Sequence, residues 1–507
     1  MIIMHGSTGA SHARRWILVA AAGAMVLVTA TPASAENGYL TDEVPYITLT
    51  GDGTVTAIIN SGDVVNDVEF QGLPDGVGIV PGADGTVDVY VAHEQTTVPF
   101  FGSADFEDAS VAKLTLSTSD GSVLGAEVVV SPDLGYLRFC SAGVVGPAEG
   151  FSTYTFFTGE ETNDIVDVPA DAPYGPDPAL APQRQGGYVV ALNTETGDSA
   201  PIAGMGRLNH ENTIALPGYN QIAMLTTDDT FSAATSQLYM YLANHESHVW
   251  QDKGSLWAFQ VTRTDDGAVD AYDPFNGAND YLDIQPGDDW QGKFIRVPKE
   301  IARGETGDAP QDALENWSNE NNVFQFIRLE DLAYDKNDPS IVYVADTGAS
   351  RVVPNPATGR MYRPSGQGQA DNGRIFKFEF DAKNPRKVTS FSVLADGDAP
   401  DAPEFVEFTS PDNVDTSEHS LMVQEDTDGA KIWRLDLVSG DWSVVATVND
   451  PGGESSGIVD ASQWFGDGSW LLTVQAHGFT PVRSETDAGV LRKLEAGQLM
   501  LMNIPGS

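Results

Sequence analysis

The feature that most constrains this chain is its punctuation. Asp-Gly and Asn-Gly dipeptides recur along its length, at Asp52-Gly53, Asp84-Gly85, Asp120-Gly121, Asp266-Gly267, Asn372-Gly373, Asp428-Gly429 and Asp467-Gly468. Short runs rich in Val, Ile, Tyr, Phe and Thr lie between them, and helical periodicity is scarce. Such a dipeptide between alternating apolar runs is the strongest local hairpin signal, because the tightest hairpin turns need positive φ at their central residues. The pattern predicts an all-β fold, a meander of antiparallel hairpins. Two stretches, 309–316 and 460–464, read as helical turns.

Several strand-like runs end in a His or a carboxylate: 89–94, 154–161, 223–229, 240–246, 341–346, 421–426 and 471–477. In a β-propeller the strands lining the axis finish near one mouth of the central channel, so polar residues after them would converge. The intervals are mostly tens of residues, as four-stranded blades require. The runs ending at Asp229 and Glu246 are too close for separate blades, which leaves about six. A β-sandwich, with these residues as ordinary strand-end polar groups, is the alternative. Residues 164–186, rich in Pro, Asp and Ala, read as an irregular excursion. Residues 277–322, with Trp290 and Trp317, read as an insertion over the active face.

The first residues read as an export signal. Arg14 and Arg15 precede an apolar stretch from Ile17 to Ala30, and Ala33-Ser34-Ala35 fits a small-x-small cleavage site. Cleavage after Ala35 would leave residues 36–507 as a single propeller domain, secreted or held in the cell envelope. The arginine pair is also the mark of twin-arginine export. No other segment is long and apolar enough to span a bilayer. With 73 acidic against 27 basic residues the net charge is −46. That charge repels nucleic acid and anionic lipid and attracts cations. One cysteine, Cys140, excludes an intramolecular disulfide. Such a thiol is either buried and inert, or a metal ligand or reactive group.

Three of the eight histidines stand immediately before glutamate: His93-Glu94, His210-Glu211 and His245-Glu246. None has the second His that a helical zinc-protease motif needs. Carboxylate-rich sites with few His and almost no Cys suit hard cations such as calcium, magnesium or ferric iron. A second group runs Arg328-Leu329-Glu330-Asp331. Arg328 and Glu330 share a face of an extended strand, and an arginine beside a metal-binding carboxylate suits an oxyanion substrate. A structural Arg-Glu pair has the same spacing. Asp412-Asn413, Glu425-Asp426, Glu454-Ser455-Ser456-Gly457 and Glu160-Glu161 complete the candidates. The letters around Ser455 match Gly-x-Ser-x-Gly, but a loop precedes them where a nucleophile elbow needs a buried strand.

At these residues the sequence resembles the PhoX-type alkaline phosphatases. The likeness rests on Gly206-Arg207-x-Asn209-His210-Glu211, Arg328-x-Glu330-Asp331, Pro411-Asp412-Asn413, Glu425-Asp426 and the stretch from Cys140 to Glu161, and covers 68–477 in islands. It implies a six-bladed propeller that hydrolyses phosphomonoesters with calcium ions and an oxygen-bridged iron pair. It further implies Cys140, Glu161, Glu211, Glu330, Asp412 and Glu425 as metal ligands and Arg328 as the phosphate-gripping residue. The family's Trp-Gly-x-Trp run is absent, with Phe151-Ser152-Thr153-Tyr154 in its place, and the paired acids follow Gly159 rather than a second Cys. These departures bear on iron more than on calcium. The expected partner is a small phosphate ester, and a monomer is favoured. The alternatives are a non-enzymatic calcium-stabilised propeller for binding and a phytase-like or other calcium-dependent esterase propeller.

Overall fold

The computed structural model describes residues 38–95, 108–230, 236–269, 279–348, 372–450, 452–476 and 496–507, with the backbone of four short strands at 353–354, 361–362, 484–487 and 490–493. The export signal and His477 lie outside the described residues. Gly38–Ser507 form one compact unit.

The hairpins assemble as six antiparallel meanders. Their first strands are Pro74–Pro81, Phe139–Val145, His210–Ala215, Leu329–Tyr334, Pro411–Thr416 and Glu454–Asp460. Each of these packs on the next and the last packs on the first, a closed ring about a central axis. The molecule is a β-propeller, all-β with few helices. Blades three and four belong to one ten-stranded sheet, because Trp290–Arg296 pairs with the outer strands Ser255–Thr264 and Asn384–Asp396. Blade five gains Ile47–Leu49 on its outer edge. Blade six takes its outer strand, Thr54–Asn60, from the other end of the sequence. Helical residues fall at Pro310–Glu320 and Ser462–Phe465, near where the sequence places them. Among the described residues no helix is long and apolar enough to cross a membrane.

The runs that end in carboxylates are not, for the most part, the axial strands. Thr86–His93, Thr155–Glu160, Ile222–Asp228, Ile341–Asp346, Ser420–Glu425 and Ser469–Ala476 are the second strands of their blades. Antiparallel pairing explains why the prediction of convergence still holds: a second strand ends where the first begins, at the same mouth. Leu238–Ala243 is a third strand, so Glu246 emerges at the opposite mouth.

One local feature recurs. In five blades two residues of the first strand oppose one of the second. They are Asp75-Gly76, Cys140-Ser141, Glu211-Asn212, Glu330-Asp331 and Asp412-Asn413. Such a β-bulge bends the strand and re-aims its side chains. Blade six shifts register slightly later, between Ser456 and Ile458.

Candidate metal centre

The first residue of each of these bulges is an acid or the thiol. Their ligand atoms form three overlapping groups, Asp75-Glu94-Cys140, Cys140-Glu161-Glu211 and Glu211-Glu330-Asp412, each with its atoms within 4.8 Å of one another. Cys140 and Glu211 are shared, so the groups make one continuous cluster. Burial and mutual repulsion act on Asp75, Cys140, Glu161, Glu211, Glu330 and Asp412. Asp75 is pushed up to about 8, first by burial and then by Glu94. Burial, followed by neighbouring carboxylates, drives Glu161, Glu211, Asp412 and Glu454 well above the usual carboxylate range. Burial and then Asp75 push the Cys140 thiol well up.

Five of the six predicted ligands therefore meet: Cys140, Glu161, Glu211, Glu330 and Asp412. Glu425 does not join them. Its carboxylate faces back into blade five, where it accepts the backbone N–H of Thr409 at 3.0 Å and of Lys431 at 2.8 Å and the indole N–H of Trp433 at 2.8 Å. Asp426, its neighbour, is the acid that acts on Glu330, Asp412 and Glu454. The Glu160-Glu161 pair divides in the same way. Glu160 is bonded to Arg184 through both oxygens, at 3.0 and 3.1 Å, with neither side chain exposed.

Among the His-Glu pairs, the glutamates of two reach the cluster and the histidines anchor the backbone. His93 Nδ1 lies 3.1 Å from the Gly72 carbonyl, and His210 bonds to Thr226 Oγ1 at 2.9 Å and the Gly206 carbonyl at 3.1 Å. Burial lowers both rings to about 4, which keeps them neutral. Glu246 sits elsewhere, accepting from Ser152 N and Oγ. Asp75, Glu94, Asp229, Asp426 and Glu454 complete the acidic mouth. The repeat that would have found Asp75 is an acid or thiol, then a small or polar residue, then an apolar one or Thr, at the start of five of the six axial strands.

Arg328 sits at the rim. Its Nε and Nη2 bond to the two oxygens of Asp229 at 2.7 and 2.6 Å, and Nη2 lies 3.1 Å from Glu330 Oε1. Beneath the acids, the second bulge residues close the axis. Ser141 Oγ donates to Glu211 Oε1 at 2.6 Å and accepts from Asn413 Nδ2 at 2.7 Å, a bond between blades two and five. Asn212 Nδ2 donates to Asp331, which also accepts from Val414 N at 2.9 Å. A cavity of about 430 Å³ lies on the far side of this layer, reaching Lys336, Asp460 and Trp464. None of the clustered acids lines it. Ser455 lies within a strand and accepts from Gln424, which excludes a nucleophile elbow.

The donor set fits metal ions. Asp75 Oδ1 and Glu211 Oε2 are buried without any hydrogen-bond partner. An ionised carboxylate left so would be strongly destabilising, and a cation satisfies it. Fold and site define the class: a β-propeller that gathers carboxylates, a thiol and an arginine at one mouth of its axis.

The family described as alkaline phosphatase PhoX matches residues 137–452, and the chain belongs to that family. No curated protein matches it. Among solved structures it is similar to the α-L-arabinanase of Penicillium chrysogenum, at 10% identity over 89% of this chain and 99% of that one with a TM-score of 0.41. It is similar also to an α-L-arabinofuranosidase of Fusarium graminearum (9%, 90% and 98%, TM-score 0.40) and to one of Podospora anserina (8%, 92% and 99%, TM-score 0.34).

Proposed function

We propose that the protein is a secreted, metal-dependent phosphatase that hydrolyses phosphomonoesters, with calcium and iron as its metals. The observation that carries this is the placement of Arg328 beside a cluster of acids whose buried oxygens lack partners. Without cations such a cluster repels a phosphate ester, and with them the local sign reverses. Asp75, Glu94, Cys140, Glu161, Glu211, Glu330 and Asp412 are the ligands in this reading. The cations they hold supply Lewis acidity toward the phosphoryl oxygens and lower the pKa of a water.

The remaining steps belong to the chain itself. Asp229 fixes the Arg328 guanidinium through Nε and Nη2, and Nη1 has no partner among the described residues. That edge is free to donate to a phosphate oxygen as negative charge spreads over it in the transition state. Ser141, held by Asn413, orients the Glu211 carboxylate. His93 and His210 are neutral and bonded to the fold, so neither is the general acid. In this reading the chain is exported, its mature part starts at Glu36, and the reaction takes place outside the cytoplasm.

Hydrolysis of p-nitrophenyl phosphate, with metal analysis of the same sample before and after chelation, tests the reading. Activity that falls with chelation and returns with calcium is expected. The Arg328→Ala protein should keep its metal and lose roughly 10²- to 10³-fold in kcat. Full turnover by that variant would remove Arg328 from the mechanism. Bound calcium without any turnover would favour the non-enzymatic propeller.

A further inference from the structure

The helix Pro310–Glu320 packs against blade three, where Leu314 joins a core cluster with Tyr239, Leu256 and Ala258. Asp228 and Asp229 are adjacent there and serve different neighbours. Asp229 grips Arg328. Asp228, 1% exposed, faces the helix. Its carboxylate accepts the Thr230 hydroxyl at Oδ1 and a backbone hydrogen bond from Gln237, and its Oδ2 is buried without a hydrogen-bond partner. The largest charge acting on it is the Glu315 carboxylate of the helix. Both acids also act on the buried Tyr239, whose hydroxyl lies 3.1 Å from Ser318 on the same helix. No Lys or Arg among the described residues pairs with Asp228.

A second unpartnered oxygen lies on the helix side of Thr230. Thr230 gives its one hydroxyl proton to Asp228, so its oxygen must accept from Gln311, 2.6 Å away. That assignment fixes which end of the Gln311 amide is nitrogen. The other end, Oε1, is left without a partner, on a side chain 5% exposed. The Gln311 backbone N–H is already committed to Gln185 Oε1 at 3.2 Å, so the start of the helix is held in place.

Asp228 Oδ2 and Gln311 Oε1, joined through Thr230, are thus two buried oxygens with no donor, and Glu315 stands one turn along the same helix from Gln311. Like charges in such a place either share a proton or hold a cation. The donors are all oxygen, of mixed charge and irregular arrangement. That set suits calcium, which takes six to eight oxygens in flexible geometry, and not zinc or copper, which prefer nitrogen and sulfur. We propose that Asp228, Glu315 and the Gln311 amide oxygen form a calcium site, distinct from the axial cluster, that fastens the helix Pro310–Glu320 to blade three.

The full-length protein is stripped with chelator and titrated with calcium, and both bound equivalents and melting temperature are read. Asp228→Asn keeps the shape and removes one charge. It should lose one calcium equivalent relative to wild type, and calcium should raise its melting temperature less. Glu315→Gln should do the same. Asp412→Asn, in the axial cluster, should leave this equivalent in place, which separates this site from the catalytic reading. Gln311→Ala, which changes no charge, should weaken the same equivalent at least tenfold. Wild-type calcium content in Asp228→Asn would overturn the site. So would a melting temperature raised in calcium-free buffer with no equivalent lost, the signature of a shared proton. If Asp228→Asn does not fold, unchanged calcium affinity in Gln311→Ala overturns the proposal by itself.

Discussion

Glu425 and Asp426 stand side by side at the end of one strand, and their surroundings assign them different roles. Three N–H groups saturate the Glu425 carboxylate and tie the start of the third strand of blade five to the turn before the first. Asp426 faces the axis instead. Glu425→Gln should therefore leave metal content unchanged and lower stability by about 1–3 kcal/mol, since an amide offers one acceptor where the carboxylate offered two. Asp412→Asn should do the reverse, with bound metal falling and the metal-free melting temperature rising as repulsion is relieved. Metal analysis and thermal melting of the two variants decide it. Metal loss in Glu425→Gln would return that residue to the ligand set. The same pair shows where sequence legibility stops. That acids gather near strand ends can be read from the chain. Which of two adjacent acids faces the axis cannot, because side chains alternate with period two and a one-residue bulge reverses the assignment. Glu160 and Glu161 divide on the same physical ground.

At the scale of the strand, the bulge is the device that turns a blade into part of a site. It places a ligand in one layer and a small or polar residue in the layer below, and it is repeated at Asp75-Gly76, Cys140-Ser141, Glu211-Asn212, Glu330-Asp331 and Asp412-Asn413. Approach to the bulge is constrained as well: Leu73, Arg138 and Ser410, each just before a first strand, have φ of 48°, 47° and 51°. At Gly76 two neighbouring blades approach closely. A Cβ there would lie 2.2 Å from Ala142 N and 2.4 Å from Ser141 C, both backbone atoms that cannot swing away. Gly76→Ala should force blades one and two apart, costing about 1–3 kcal/mol and weakening metal binding through Cys140 and Asp75. Gly85→Ala is the control. Its φ of 79° carries a local strain of about 1 kcal/mol, but nothing lies within 4 Å of the added carbon. Calcium titration should separate them, with affinity reduced for Gly76→Ala alone. The sequence shows hairpins because turn residues act locally. It does not show which strand of each hairpin is axial, since both are apolar and both touch the same mouth, the first where it begins and the second where it ends.

For the whole molecule the decisive contact is the one that closes the ring. Thr54–Asn60 pairs with Ala496–Asn503, so blade six is completed by residues from opposite ends of the chain. Such a pairing leaves no local mark, which is why spacing suggests the number of blades and not how the last is finished. The seam holds by packing: Ala57, Ile58 and Ile59 are buried at 7%, 0% and 1% exposure, and Ile58 and Ile59 join a core cluster with Leu471 and Leu499. The two isoleucines contribute roughly 3–6 kcal/mol by burial, a large part of the roughly 5–15 kcal/mol by which a domain is stable. Opening this edge would also let blade six drift from its neighbours, carrying Glu454 away from the acidic mouth. Ile58→Asp, which buries an unpaired charge in the seam, should lower the melting temperature steeply and weaken calcium binding at the axis. Ile58→Ala should lose about 2–5 kcal/mol and retain the metal. Melting within a few degrees of wild type for Ile58→Asp would mean that the ring is held by its axial packing and cations, and that the outer strand is only an edge.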